Sequence, residues 1–249
     1  MSGWHEQDMF GFDVESTGVN VFTDRMVQAT LVKVPVQEDS PRLRAWLIDP
    51  GVEIPESATA VHGITTNQAR AEGVAPKPAI EEMSAMVVQV LKAGVPLVVF
   101  NAAFDLSILD AECARWGLPT LTDRLEAAHW RGVIDPCVLG RYFFTRDRKQ
   151  KGKQFTLPFL CEVYGVPFTE THQATADAVG AVHLARAMAE AEEHCAQMGP
   201  NALHNLQRTA RRTRQQNLKR FFDDNGIEYD EVDPGWPLHT SLQTWEVPA

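Results

Sequence analysis

Four cysteines in 249 residues are too few and too scattered for most of the work that cysteine clusters do. Cys113, Cys137, Cys161 and Cys195 form no CxxC pair, and each sits in an apolar or helix-like context. A zinc knuckle is thereby disfavoured, and buried free thiols in a reducing cytosol are expected. Long apolar runs are missing too. No stretch reaches membrane-spanning length, and the N-terminus lacks a basic-then-apolar leader pattern. The expectation is a soluble, cytoplasmic chain with no membrane partner. There is no internal repeat and no G-x-x-x-x-G-K-[ST], which argues against ATP coupling through a P-loop. Positive charge is in deficit, with 23 Lys+Arg against 33 Asp+Glu and a net charge of −10. That balance argues against coating duplex nucleic acid by bulk charge. It leaves room for a groove with locally basic residues.

What is present suffices for a core, since apolar residues make up 44% of the chain. The length suits one α/β domain with an appendage, or at most two small domains. Segments 8–14, 26–34 and 44–51 read as strands with short links, an antiparallel meander. Thr65 or Thr66 is placed to cap a short helix. Ile80, Met83, Val87, Val90 and Leu91 recur at helical spacing before Gly94. Further strands are expected at 95–101 and 132–136, and helices at 103–117, 157–166 and 174–194. Strands first, then strand–helix alternation, fit a mixed sheet with helices packed on it. After Gly199-Pro200 the composition changes to a very basic helix at 201–226, then an acidic, proline-containing, extended end.

Chemistry concentrates in a few acids. Asp13 and Glu15 stand two apart on a strand, so they project from one face and repel each other unless a cation intervenes or one is protonated. Hard divalent cations take such oxygen ligands. A D-x-E pair on a solvated strand is the common alternative. Here the strand is buried in type, and Ser16-Thr17-Gly18 turns at once, exposing backbone N–H groups. Asp105 follows the buried strand and "NAAF" at a helix start, where a dipole-favoured acid is also frequent. Asp177 lies among small residues that permit close backbone approach, and His172 precedes it by five residues.

These elements together, "DVE" at 13–15, "NAAFD" at 101–105 and "HQATAD" at 172–177, resemble the DEDDh (DnaQ-like) 3′–5′ exonuclease family. That family includes the proofreading epsilon subunit of DNA polymerase III. "VHGIT" (61–65) looks like its nucleotide-contacting segment, and "LPFLCEVYGV" resembles the helix before its histidine motif. The resemblance covers roughly residues 8–190. It departs from the common pattern at Ser16, where many members have threonine, and after His172, where asparagine often follows. The C-terminal basic helix and acidic tail have no counterpart in the minimal domain and are similar to tails on stand-alone actinobacterial relatives.

The resemblance implies an α/β, ribonuclease H-like mixed sheet flanked by helices. It implies an exonuclease domain over 1–196 and a helical extension over 197–249. It implies two Mg²⁺ or Mn²⁺ ions, about 3.5–4 Å apart, on Asp13, Glu15, Asp105 and Asp177, with His172 as general base. Ser16 and Thr17 would meet the terminal 3′-hydroxyl, and His62 and Ile64 would pack on the last nucleotide. Asn101 and Phe104 would help line the groove, Phe104 being equally well read as a core aromatic. The expected activity is hydrolysis from the 3′ end of single-stranded DNA, releasing nucleoside 5′-monophosphates, in repair or proofreading, with a DNA polymerase as a further partner. The alternatives are a 3′–5′ exoribonuclease trimming RNA and a non-catalytic nucleic-acid- or polymerase-binding module.

Two basic runs stand against the acidic total. Residues 141–153 hold six Lys/Arg and one Asp, and read as a phosphate-tracking loop. Residues 208–220 hold six Lys/Arg and no acid. The second run is open to three readings: substrate binding, partner docking, or pairing with the tail.

Overall fold

Strict alternation along Met9–Ser16 decides the centre of the molecule. In the computed structural model, which describes residues 3–36, 41–144, 155–168, 174–229 and 232–243, this segment is the middle strand β1. Phe12 and Val14 go to one face of the sheet, and Met9 goes to the other. Asp13 and Glu15 share the Met9 face, as the period of two requires. β2 (Met26–Val34) pairs antiparallel with β1, and β3 (Arg42–Leu47) pairs antiparallel with β2.

Two short helices follow, α1 (Glu56–His62) and α2 (Thr66–Glu72), the second capped by the Thr65 hydroxyl. Then come α3 (Pro76–Lys92), β4 (Leu97–Val98), α4 (Ala102–Arg115) and α5 (Leu121–Arg124). β5 (Val133–Ile134), α6 (Pro136–Phe144), α7 (Leu157–Val163) and α8 (Ala174–Ala191) lead to α9 (Glu193–Ala196) and α10 (Pro200–Asn225). The sheet order is β3-β2-β1-β4-β5, with β4 and β5 parallel to their neighbours. The expected meander and mixed sheet are therefore present. The third strand ends at Leu47, short of the expected 51, and α1 occupies a stretch read as polar loop.

Helices cover both faces. Ile80, Met83 and Val87 of α3 and Leu106 and Leu109 of α4 pack with Phe12 and Leu31. On the other face α8 lays Ala178, Val182 and Ala185 against Met9 and Val32. Its crossing is unusually close. A Cβ on Gly11 would run into the Ala178 carbonyl, so only glycine lets this helix sit so near β1. A hydroxyl contact of 3.2 Å between Thr30 on β2 and Thr175 fixes the first turn of α8. Asp177 is thereby brought over the same sheet face as Asp13 and Glu15.

The segment beyond 197 is built into this body. Gln207 of α10 is fully buried. Its Oε1 accepts from the Asp135 N–H at 2.7 Å, and its Nε2 donates to the Val133 carbonyl at 3.2 Å. A side chain thus satisfies the outer edge of β5, where another strand would otherwise be needed. Trp236 joins the main core. All four cysteines are buried and unbridged. Among the described residues, no helix is long and apolar enough to cross a membrane.

Candidate active site

The end of β1 gathers the acids. Asp13, Glu15 and Asp177 each bring a carboxylate oxygen to within 4.8 Å of the others. Asp105 approaches from the first turn of α4. The ladder between β1 and β4 stops at Gly11↔Val98. Beyond it the Val14 N–H donates to Asp105 Oδ1 at 3.0 Å. Asp105 is thus anchored to the amide between Asp13 and Glu15, although it is not one of the three converging carboxylates.

Asn101, at the start of α4, holds a left-handed backbone with φ 68°. Such a conformation suits Asn better than most residues. It is maintained by Asp135, which sits between β5 and α6 and is almost wholly buried. The Asp135 carboxylate accepts from the N–H groups of Asn101 and Ala102, each at 3.0 Å. It also accepts from Cys137 and Val138, at 3.0 and 3.2 Å, and from Trp236 Nε1 at 3.1 Å. One carboxylate therefore caps two helices and ties the C-terminal segment to the helix that carries Asp105. Sequence reasoning missed it, although an acid after a buried strand and before a proline is a helix-start signal.

The electrostatics follow from burial and like charge. Burial first, then Asp105, Glu15 and Asp177, push the Asp13 carboxyl well above the usual range. Burial also raises Asp105, against the pull of its backbone hydrogen bonds. Glu15 is pushed up to about 7 by burial and by Asp177. An all-oxygen set that repels itself and has been drawn out of water fits a hard divalent cation. Asp13, Glu15 and Asp177 would hold such an ion, with Asp105 beside them.

A stability prediction arises here. Without metal, the folded protein keeps a proton on Glu15 that the unfolded chain, with an ordinary glutamate, releases above about pH 4.5. Raising the pH from there to about 7 therefore favours unfolding, by up to about 3 kcal/mol from Glu15 alone. Calorimetry in EDTA should show the melting midpoint falling across that window. Glu15→Gln should lessen the fall by its own share, Asp13 and Asp105 supplying the rest, and Mg²⁺ should reduce it further. A wild-type midpoint that rises with pH in EDTA would contradict this electrostatic picture.

Asp13 and Asp177 open on a cavity of about 400 Å³ lined also by Phe100, Asn101, Phe155 and Leu157. Of the expected substrate contacts, only Asn101 is in that lining. Ser16 donates its hydroxyl to the Gly18 carbonyl at 2.6 Å. Thr17 donates to Asp24 at 3.1 Å and accepts from the Arg25 N–H, so its hydroxyl is engaged within the turn. His62 Nδ1 accepts from the Ile64 N–H, and Ile64 is buried in a small satellite core with Ile54 and Ala69. Phe104 packs half-buried on the main core. His172 lies outside the described residues, as does most of the basic run 141–153. Arg211, Arg214 and Gln215 of α10 line the cavity. The second basic run thus reaches the site, a placement the sequence did not disclose.

The family model for RNase T exonucleases matches residues 10–185. The PolC-type DNA polymerase III of Caldanaerobacter subterraneus subsp. tengcongensis is 25% identical over 173 residues, spanning 70% of this chain and 11% of its own length. That of Streptococcus thermophilus is 28% identical over 167 residues, spanning 67% and 10%. The chain thus spans about a tenth of these relatives. Among solved structures, E. coli exonuclease I in complex with a dT13 oligonucleotide superposes with a TM-score of 0.57 at 17% identity, over 76% of this chain and 42% of that one. Exonuclease I from Methylocaldum szegediense gives 0.55 at 19%, over 75% and 41%. The mixed five-stranded sheet is accordingly the ribonuclease H-like exonuclease fold, and the chain belongs to the RNase T, or DnaQ-like, exonuclease family.

Proposed function

We propose that the protein is a 3′–5′ exonuclease that removes nucleoside 5′-monophosphates one at a time from single-stranded DNA, using two Mg²⁺ or Mn²⁺ ions. The observation that carries this reading is the convergence of Asp13, Glu15 and Asp177 at the mouth of a cavity, with Asp105 anchored between the first two. A pure binding module has no need of a half-buried, mutually repelling set of this kind, which costs stability. When bound, the ions neutralise charge on the attacked phosphate and its in-line oxygens.

The chain's own groups do the rest. Asp13 and Asp177, on a strand and a helix locked by the Gly11–Ala178 contact, hold fixed positions. Asn101, held by Asp135, faces the same cavity and orients the incoming end. His172, five residues before Asp177, takes the proton from the attacking water. Trimming of DNA ends in repair, or proofreading beside a DNA polymerase, are the roles such an activity serves.

A time course with 5′-labelled and 3′-labelled oligonucleotides, DNA and RNA, in Mg²⁺, Mn²⁺ or EDTA, tests the reading. The 5′-labelled DNA should shorten stepwise as a metal-dependent ladder. Faster loss of RNA would reassign the substrate. Binding without cleavage of any strand would make the protein a non-catalytic module.

A further inference from the structure

The cavity at the carboxylates continues past them. Its far wall is made by Arg141 of α6 and by Arg211 and Arg214 of α10. These three, with Cys137, also line a second cavity of about 800 Å³ between α6 and α10. The two spaces share a wall and form one groove leading from the acids along α10. No acid lines the larger space among the described residues. None of the three arginines forms an ion pair with an acid among the described residues. Arg141 rests over the Phe155 ring at 5.2 Å and donates to Cys137 Sγ at 3.4 Å, both uncharged. Arg211 Nε is buried and meets no acceptor among the described residues. Asp135, whose charge Arg211 feels, is already engaged by the five donors named above.

In a chain of net charge −10, a space lined by three guanidinium groups and, among the described residues, by no acid is a local inversion of sign. The remainder of its wall includes Val138, Leu206 and Leu218. Phosphates satisfy the arginines. Unpaired bases, which present bare π-faces, satisfy the apolar wall, whereas a duplex keeps those faces stacked inside. α10 also lies wholly beyond the residues matched by the family model.

We propose that this groove is the track for single-stranded DNA entering the site. Phosphates 5′ to the scissile bond lie against Arg141, Arg211 and Arg214, and bases lie over the wall between α6 and α10. The proposal rests on the exonuclease reading and names the element that holds the strand. It also divides the basic run of 208–220 in two. Arg211 and Arg214 face the track, while Arg208 and Arg212 line a separate cavity beside Trp236.

That division supplies the test. Anisotropy of a 5′-fluorescein trithymidylate and of a twelve-nucleotide oligothymidylate is measured in EDTA over a range of KCl, and cleavage is followed in parallel in Mg²⁺. Each single-strand phosphate contact contributes about 0.7 to the salt slope. Arg211→Gln/Arg214→Gln should lower the slope for the long strand by about 1.4 and weaken its binding at least ~10-fold near 0.1 M salt. Arg208→Gln/Arg212→Gln, which removes the same charge from the other side, should leave the slope almost unchanged. Asn217→Trp, filling the larger space from an exposed position on α10, should weaken the long strand more than the short one; it stands in if the arginine variant melts early. Equal effects of the two arginine pairs, with the Trp variant binding normally, would overturn the track and leave the exonuclease standing. A wild-type protein that neither cuts nor binds would overturn both.

Discussion

Asp13→Ala is expected to abolish turnover while leaving the fold intact. The charges of Asp105, Glu15 and Asp177 all act on Asp13. Its loss removes an acid that faces the other three, so the expected drop is at least about 10²–10³-fold, the scale of losing a group that stabilises charge in the transition state. The same change should raise the melting midpoint in EDTA, because a buried, repelled carboxyl is gone. Opposite movements of activity and stability are the signature to look for. Strand-shortening rates beside thermal melts read both, and full activity in the variant would rule out the site.

The second large effect is expected at His172. A general base contributes about 10²–10⁴ to rate. His172→Ala should therefore lower turnover by that amount with metal affinity almost untouched, since the converging oxygens come from other residues. The pH profile separates this from a structural role. An ordinary imidazole titrates near about 6.5 and acts as a base only when deprotonated. Wild-type turnover should rise with pH through that region and the variant's should not. Kinetics with a metal titration decide: equal losses of rate and metal affinity would overturn the role as base.

The contrast between what the chain discloses and what the fold adds is physical. β1 and β2 were legible as short runs rich in apolar and β-branched residues, and α3 because its apolar residues recur at helical spacing. α6 was not read as a helix. Its "PCVLGRYFF" is nine residues long, opens on proline and carries a glycine, so it is short for a helical reading along the chain. The acids were legible because i, i+2 spacing on a strand is a geometric statement in itself. Asp135 escaped because its role is exerted through five donors from three stretches of chain, two of them distant, which no local pattern records. The arginines were half legible. Residues 211 and 214 share a helical face, and 208 and 212 share another. Which face turns to the carboxylates is set by packing against α6 and by Gln207, and is invisible along the chain.

The engagement of Asp135 bears on the order of synthesis. A nascent chain that has emerged as far as residue 200 already holds Asp13, Glu15, Asp105 and Asp177. It lacks Gln207, which completes the edge of β5, and Trp236, which donates to the carboxylate capping α4. At that stage the four acids repel one another within a framework still missing two of its fastenings. The arrangement of the acids is therefore fastened only once Gln207 and Trp236 have been made, and a chain cut after residue 200 should hold those acids less firmly.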